Sequence, residues 1–485
     1  MSTVVVRSSR DIIDFVNNHP TGTRRTKTLA LIALGGIFVD AYDLTSLGLG
    51  IRSLTDQWSL SSNQVGFLTA IMALGALVGA LVGGPLVDRV GRYKLFVLDL
   101  VLFVVAAIGA GLSVNYEMLL VCRFLLGVGV GIDMPVSFSF IAEFTNSKSK
   151  GGWVNLWQFM WYIAVVSAAL LTLPFYFLGA GEDLWRWVVG FGAVPALVVL
   201  LLRLRYTEES PMWAAQNLSV REAAAILESS YGVTVDVQEP PEGTPGADGR
   251  LERRQPAMSA RTRLASLFSE RYRLRTLLAS MISGTQAAQY FAVGFYVPTI
   301  TALIFGAGLV ETVLVTIAIN CFGLVGAFLQ SRLTGRLSLR QLATIGYLVV
   351  LLCSLTLGLV GTSAGGFVAA FLVGLFIFGH SFGPGSQGKT MAALSFPTSL
   401  RGTGTGFAEA MSRVGSMLGF YVFPVLLASL GLATTMRWLA IVPLVGLITV
   451  IFIRWNPLTA DVEDDADAHE PASQGGVDPA TVPGR

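Results

Sequence analysis

The sequence predicts an all-α membrane protein with twelve transmembrane helices in two pseudo-symmetric six-helix bundles. Three observations predict it. The first is composition: of 485 residues, 53% are hydrophobic and 13% charged, against roughly 25% charged in soluble domains, and the mean hydropathy is +0.65. The second is a set of twelve apolar runs, each near the roughly 20 residues a helix needs to cross a hydrocarbon core. The third is one long polar break that divides them six and six. The runs are continuous and rich in Leu, Val, Ala and Gly rather than alternating, so they are helices and not barrel strands.

The runs fall near 28–50, 64–86, 93–113, 117–142, 153–179 and 185–204, then 275–304, 309–330, 341–361, 365–393, 402–429 and 435–454. The first 27 residues are polar and carry Arg7, Arg10, Arg24, Arg25 and Lys27, so no cleavable signal is expected and the first run is a span. One set of short loops carries Arg24, Arg25, Lys27, Arg89, Arg92, Lys94, Lys148, Lys150, Arg332, Arg336, Arg340 and Arg401. The alternate set offers Arg52, Arg186 and Arg437. The basic set should face the cytoplasm, which places both termini inside the plasma (cell inner) membrane.

The polar break over about 206–272 contains Glu239-Pro240-Pro241-Glu242-Gly243-Thr244-Pro245-Gly246, a flexible-linker composition. Ser219 and Glu222 predict the start of a short amphipathic helix over 219–229. From Thr459 the chain is acidic and contains Pro and Gly, the composition of a disordered tail. The expected organisation is therefore a cytoplasmic segment (1–27), a six-helix bundle (28–204), a cytoplasmic linker (205–274), a second bundle (275–454) and a cytoplasmic tail (455–485). A net charge of +2 implies no attraction to nucleic acid. Cys122, Cys321 and Cys353 lie in apolar runs and read as small packing residues.

The halves repeat. Lys150, Gly151 and Gln158 recur 251 positions later as Arg401, Gly402 and Glu409. Such a repeat places a substrate pathway at the interface of the halves, near mid-membrane, and lets one half rock against the other.

Gly84-Pro85-Leu86-Val87-Asp88-Arg89-Val90-Gly91-Arg92-Tyr93-Lys94, between spans two and three, resembles the signature loop of the major facilitator superfamily. Arg123-Phe124-Leu125-Leu126-Gly127-Val128-Gly129-Val130-Gly131 resembles its fourth-span motif. Glu209-Ser210-Pro211-Met212-Trp213 resembles a segment of sugar-porter-like members. The resemblance spans about 28–454 and implies alternating access without catalysis. Physically, Gly91 allows a tight turn, and Asp88, Arg89 and Arg92 can bridge helix ends as a cytoplasmic gate. The alternative is that the basic residues only anchor the topology.

Ionisable residues at membrane depth are costly, so each is a functional candidate. Asp40 and Asp43 share one face of the first span. Two carboxylates in a low dielectric cannot both stay ionised cheaply, which suits proton coupling; a structural hydrogen bond is the alternative. Asp133 lies beside Pro135 in the fourth span, a position suited to binding or a hinge. Asp40-Ala41-Tyr42-Asp43-Leu44 and Gly131-Ile132-Asp133 resemble segments of phosphate–proton symporters, as does Phe382-Gly383-Pro384-Gly385-Ser386, with Gly385 where that group has Asn. Arg413-Val414-Gly415 resembles the eleventh-span motif of aromatic-acid–proton symporters. Arg413 is the expected anion contact, unless Glu409 one turn away neutralises it. Arg123 reads as structural.

Trp153, Trp157 and Trp161 form an aromatic stripe on the fifth span beside Gln158 and Tyr162. Trp153 reads as an interfacial belt residue, and Trp157, Gln158 and Trp161 as possible cavity lining against simple packing. Gln286, Gln289, Tyr290 and Tyr296 occupy the seventh span, where sugar porters carry a fuller set of polar residues. His380 reads as packing, with a proton relay second, and Lys389 as a side chain snorkelling to the cytoplasmic face. Asn320 suits a helix–helix hydrogen bond or a cavity donor. Gly75, Gly79, Gly83, Gly127, Gly129 and Gly131 allow close helix approach.

The expectation is a secondary active transporter taking up a small organic anion, a carboxylate-type metabolite, with protons. Proton coupling falls to Asp40, Asp43 and Asp133. Substrate contact falls to Arg413, Glu409, Gln158, Trp157, Trp161, Gln286 and Tyr290, and gating to Asp88, Arg89, Gly91 and Arg92. The partners are a small-molecule substrate, protons and the lipid bilayer; a monomer suffices, with no cofactor and no metal. A sugar or polyol transporter is the first alternative, then a phosphate symporter or an exporter of apolar compounds. An enzyme is not expected, since no HExxH pattern occurs and the apolar runs hold a single histidine, His380.

Overall fold

A computed structural model describes residues 3–19, 24–146, 150–238, 259–305, 309–361, 365–460 and 462. Lys148, the linker stretch Glu239–Gly246 and most of the tail lie outside the described residues. The elements are β1 (Thr3–Val6), α1 (Ser9–Asn18), α2 (Arg24–Trp58), α3 (Ser62–Val90), α4 (Arg92–Gly111), α5 (Tyr116–Phe144), α6 (Lys150–Phe177), α7 (Leu184–Gly190), α8 (Ala193–Tyr206), α9 (Pro211–Asn217), α10 (Val220–Tyr231) and β2 (Thr234–Val237). They continue with α11 (Ala260–Ser266), α12 (Arg273–Val293), α13 (Val297–Phe305), α14 (Leu309–Leu333), α15 (Leu339–Val360), α16 (Gly366–Phe382), α17 (Pro384–Ser395), α18 (Thr398–Leu439) and α19 (Ile441–Phe452).

Helix satisfies every backbone group within its own segment, which lipid demands. Side-chain caps set several starts: Ser61 with Gln64 for α3, Asn115 for α5 and Ser338 with Gln341 for α15. Among the described residues, eleven helical stretches are long and apolar enough to cross a membrane. The seventh span, α12 continued by α13, is the twelfth; Thr285, Gln286 and Gln289 dilute its apolarity. α18 breaks at Gly431 (φ 72°), where the eleventh span ends and the twelfth begins. Gly383 and Pro384 divide the tenth span into α16 and α17.

The two halves pack alike. In the first, α3 packs on α5, α4 on α5, and α2 on α6; in the second, α14 packs on α16, α15 on α16, and α12 on α18. Between the halves, α3 meets α18 and α6 meets α14. Glycines bring some of these helices to backbone contact. A side chain at Gly75 or Gly79 of α3 would overlap α5, one at Gly127 or Gly131 of α5 would overlap α3, and one at Gly415 of α18 would overlap Gly284 of α12. Gly129 differs, since a Cβ there would make ordinary contact with Asp99 and Phe103. Gly131→Leu is expected to force α3 from α5 at a cost of about 1–3 kcal/mol or more, read as a lower melting midpoint in detergent. An unchanged midpoint would mean the helices can separate freely.

The first part of the polar break assembles with the N-terminus. β1 and β2 pair in parallel, Thr3 opposite Thr234 through Val6 opposite Val237. Beneath them α1, α9 and α10 bury Val6, Ile12, Val16, Met212, Leu227 and Tyr231. The Ser219–Glu222 capping box starts α10, and Gly232 in the left-handed conformation ends it. This unit docks on the bundle: Tyr231 donates to the Phe144 carbonyl (3.2 Å), Asn146 to the His19 carbonyl (2.9 Å) and Lys150 to Asn17 (2.9 Å).

Candidate functional site

Two polar layers occupy the interface between the halves. The first lies at the end of the bundle that carries the Gly84–Lys94 loop. Asp88, at the end of α3, accepts hydrogen bonds from the Gly402 and Thr403 N–H groups (2.9 and 2.8 Å) and from the Thr403 hydroxyl (2.8 Å). Arg92 forks onto Glu143 (3.0 and 2.7 Å), and Arg401 from the other half joins the same carboxylate (3.0 Å). Arg92 also reaches the Thr398 carbonyl across the interface (3.3 Å).

Gly91 (φ 103°) makes the turn, and a side chain there would overlap Glu209. The Glu209 carboxylate accepts from the Arg92 and Tyr93 N–H groups (2.8 and 3.2 Å) and so caps α4. Burial pushes the Glu209 carboxyl above the usual range against those hydrogen bonds. Asp88, Gly91 and Arg92 thus come together as expected of a clasp, whereas Arg89 is exposed at the surface. Glu143, which the sequence does not single out, is fully buried at its centre.

The second layer is a narrow cavity lined by Trp157, Gln158 and Trp161 of α6, Gln286, Tyr290 and Phe291 of α12, His380 of α16, Lys389 of α17, and Ser412 and Arg413 of α18. Trp161 donates to the Tyr290 hydroxyl (3.0 Å) and Gln286 to Ser412 (3.3 Å). His380 stacks on Tyr290 at 4.8 Å between centroids, and its Nδ1 lies 3.3 Å from the Gln289 amide. Trp157 Nε1 and Gln158 Oε1 are buried without hydrogen-bond partners. Glu409 is held by Arg413 and, at 2.9 Å, by Lys389. Lys389 is 5% exposed and lies 4.3 Å above the Trp157 ring. It does not snorkel: a buried carboxylate and an aromatic face hold the ammonium inside more strongly than a distant headgroup region could.

The three aspartates sit behind this cavity and do not line it. Asp43 pairs with Arg123 (2.9 Å), both fully buried, so Arg123 serves as the partner of an acid. Asp133 accepts from Arg203 (2.7 Å) and from Ser137 (3.1 Å), turning its carboxylate toward α8. Arg203 also reaches Asp99 (3.1 Å) and stacks on Phe96. Neither Asp99 nor Arg203 was picked out from the sequence, although both interrupt apolar runs. Asp133, Arg203, Arg413 and Glu409 are charged neighbours of Asp40, whose Oδ2 has no hydrogen-bond partner. A larger cavity of about 370 Å³ between α2, α6 and α8 is lined by apolar side chains such as Phe38, Met160, Leu171 and Val198. Asn320 donates to the Thr316 carbonyl (2.8 Å) within its own helix.

The profile of the family "Sugar (and other) transporter" matches residues 5–455. The chain is 29% identical over 431 residues to the inner membrane metabolite transport protein YgcS of Escherichia coli (strain K12), covering 89% of this chain and 91% of that one. It is 26% identical to the "Probable 4-methylmuconolactone transporter" of Cupriavidus pinatubonensis, covering 94% and 97%. Among solved structures, the proton:xylose symporter XylE bound to 6-bromo-6-deoxy-D-glucose superposes with a TM-score of 0.77 at 20% identity, covering 93% of this chain and all of that one. That likeness shows the major facilitator fold.

Proposed function

Because the chain belongs to the Sugar (and other) transporter family, and is a multi-pass membrane transporter rather than an enzyme, we propose that it takes up a small carboxylate metabolite together with protons. The observation that carries this reading is the wall of the cavity. Two cations, Lys389 and Arg413, share one carboxylate, Glu409, which leaves an excess of positive charge facing a pocket walled by Trp157, Trp161, Tyr290 and Phe291. A buried guanidinium whose Nε lacks a partner suits a substrate carboxylate. The aromatic walls suit a flat or apolar body.

Protons enter through the acids behind the cavity. Asp43 with Arg123, Asp133 with Arg203, and Asp40 beside Arg413 are the coupling groups. The Asp88–Arg92–Glu143–Arg401 clasp lies at the cytoplasmic face and breaks when the halves rock. Both termini lie on that side of the plasma membrane, and one chain is the working unit.

A sugar or polyol is the second reading. It draws on the buried amides of Gln158, Gln286 and Gln289 and on relatives named for xylose, glucose and arabinose transport. Thermal-shift measurement on the purified protein separates the two. A carboxylate should raise the melting midpoint of the wild type, and Arg413→Ala should weaken its binding at least about tenfold, the loss of a charged hydrogen bond worth roughly 1.5–3 kcal/mol. Stabilisation by neutral sugars alone would reject the anion reading.

A further inference from the structure

The charged side chains behind the cavity form one connected set. Glu409 joins Lys389 of α17 to Arg413 of α18. Arg203 of α8 joins Asp99 of α4 to Asp133 of α5. Asp40 has charged neighbours in both groups, Asp133 and Arg203 in one and Arg413, Glu409 and Lys389 in the other. Gly36, one turn before Asp40, is pressed so closely against Arg203 and Asp133 that a side chain there would overlap both. Asp43 and Arg123 close on each other as a separate neutral pair. His380 of α16 borders the set from the cavity side with Lys389 beside it.

Fully ionised, the connected set holds four carboxylates (Asp40, Asp99, Asp133 and Glu409) and three cations (Arg203, Lys389 and Arg413) among the described residues, one negative charge too many. All seven are at most 5% exposed. An uncompensated charge at that depth costs several kcal/mol. One carboxylate must therefore hold a proton in the empty state. A substrate carboxylate adds a further negative charge, and the cheapest compensation is a second proton. Asp40 is the acid placed to take it, since it borders the cavity cluster and its Oδ2 has no hydrogen-bond donor.

We propose that this core keeps one resident proton and takes up one more, on Asp40, for each carboxylate group it binds, so that transport of a monocarboxylate moves no net charge. The inference rests on the anion reading above. Lys389 is the residue that sets the count, because without it the empty core would need two protons.

Two measurements on the full-length purified protein test it. Calorimetric titration with benzoate in buffers of different ionisation enthalpy counts the protons taken up per benzoate bound near neutral pH. One proton per benzoate is expected for wild type, and Asp40→Asn, which removes the acid that takes it, should weaken benzoate binding at least about tenfold, since the added negative charge then goes uncompensated. Benzoate binding without proton uptake overturns this proposal and leaves the anion reading standing. Binding of xylose but not benzoate sinks the anion reading itself.

The second measurement needs no ligand. Lys389→Gln should lower the melting midpoint by several degrees more at about pH 8 than at about pH 5.5, because its core must bind a second proton to stay neutral. Lys389→Gln combined with Asp40→Asn should remove that pH dependence. Equal destabilisation of Lys389→Gln at both pH values, or no rescue by Asp40→Asn, overturns the charge count.

Discussion

Glu143→Gln is expected to be among the most damaging single substitutions in this chain. The carboxylate is fully buried and receives Arg92 from its own half and Arg401 from the other. The amide keeps the shape but removes the charge, leaving two guanidinium groups in a low-dielectric site with Asp88 as their nearest acid, 3.6 Å from Arg92. Breaking a buried pair on one side typically costs about 3–5 kcal/mol. The melting midpoint in detergent should fall by more than about 5 °C. The closed arrangement of the clasp should also loosen, read as faster labelling of a cysteine placed at Thr403. A midpoint and a labelling rate like those of the wild type would show that the clasp does not hold the halves together.

Arg203→Leu is expected to be equally severe, and for the opposite charge. It strands Asp99 and Asp133 beside Asp40 without the guanidinium that pairs with both. The cost is again about 3–5 kcal/mol, seen as loss of folded protein near neutral pH. Adding Asp99→Asn and Asp133→Asn should recover folding, because a buried ionic group replaced as a whole by neutral residues is often close to neutral in stability. The recovered triple variant should still fail to concentrate substrate, since Asp133 is among the proposed coupling acids. Concentrative uptake by the triple variant would mean the cluster serves packing only.

Both experiments depend on partners that sequence spacing cannot supply. The apolar runs marked the spans because hydrocarbon imposes a length and a composition on any segment crossing it. The seventh was the least apolar, and for that reason informative: Gln286 and Tyr290 are polar because they line the cavity. The signature loop pointed to Asp88, Gly91 and Arg92 as one unit, since a tight turn and its flanking charges are local. Trp157, Gln158, Trp161 and Arg413 were legible as polar or aromatic interruptions on helices expected to face the interface.

The errors share one cause. A place near the cytoplasmic end of the tenth span suggests that Lys389 reaches toward the membrane surface. Its partner Glu409 lies on the next helix. Arg123 reads as structural from its place nearer the outer face, and its partner Asp43 lies 80 positions earlier. Asp99 and Arg203 went unnoticed, each a single polar residue in an apolar run, until the fold set them 3.1 Å apart. Parallel pairing of β1 with β2 joins four-residue segments on either side of the first bundle, too short to carry a periodicity of their own.

By itself the sequence determined the membrane environment, the number of spans, the division into related halves and the residues whose burial needed a reason, because these follow from local apolarity and from a repeat in the chain. Only the tertiary structure decided which acid meets which base, that Lys389 faces the cavity, and that Asp40 has charged neighbours in two clusters. Charge compensation in a low dielectric is set by distances of a few ångströms between helices, and those distances are properties of packing, not of any one segment.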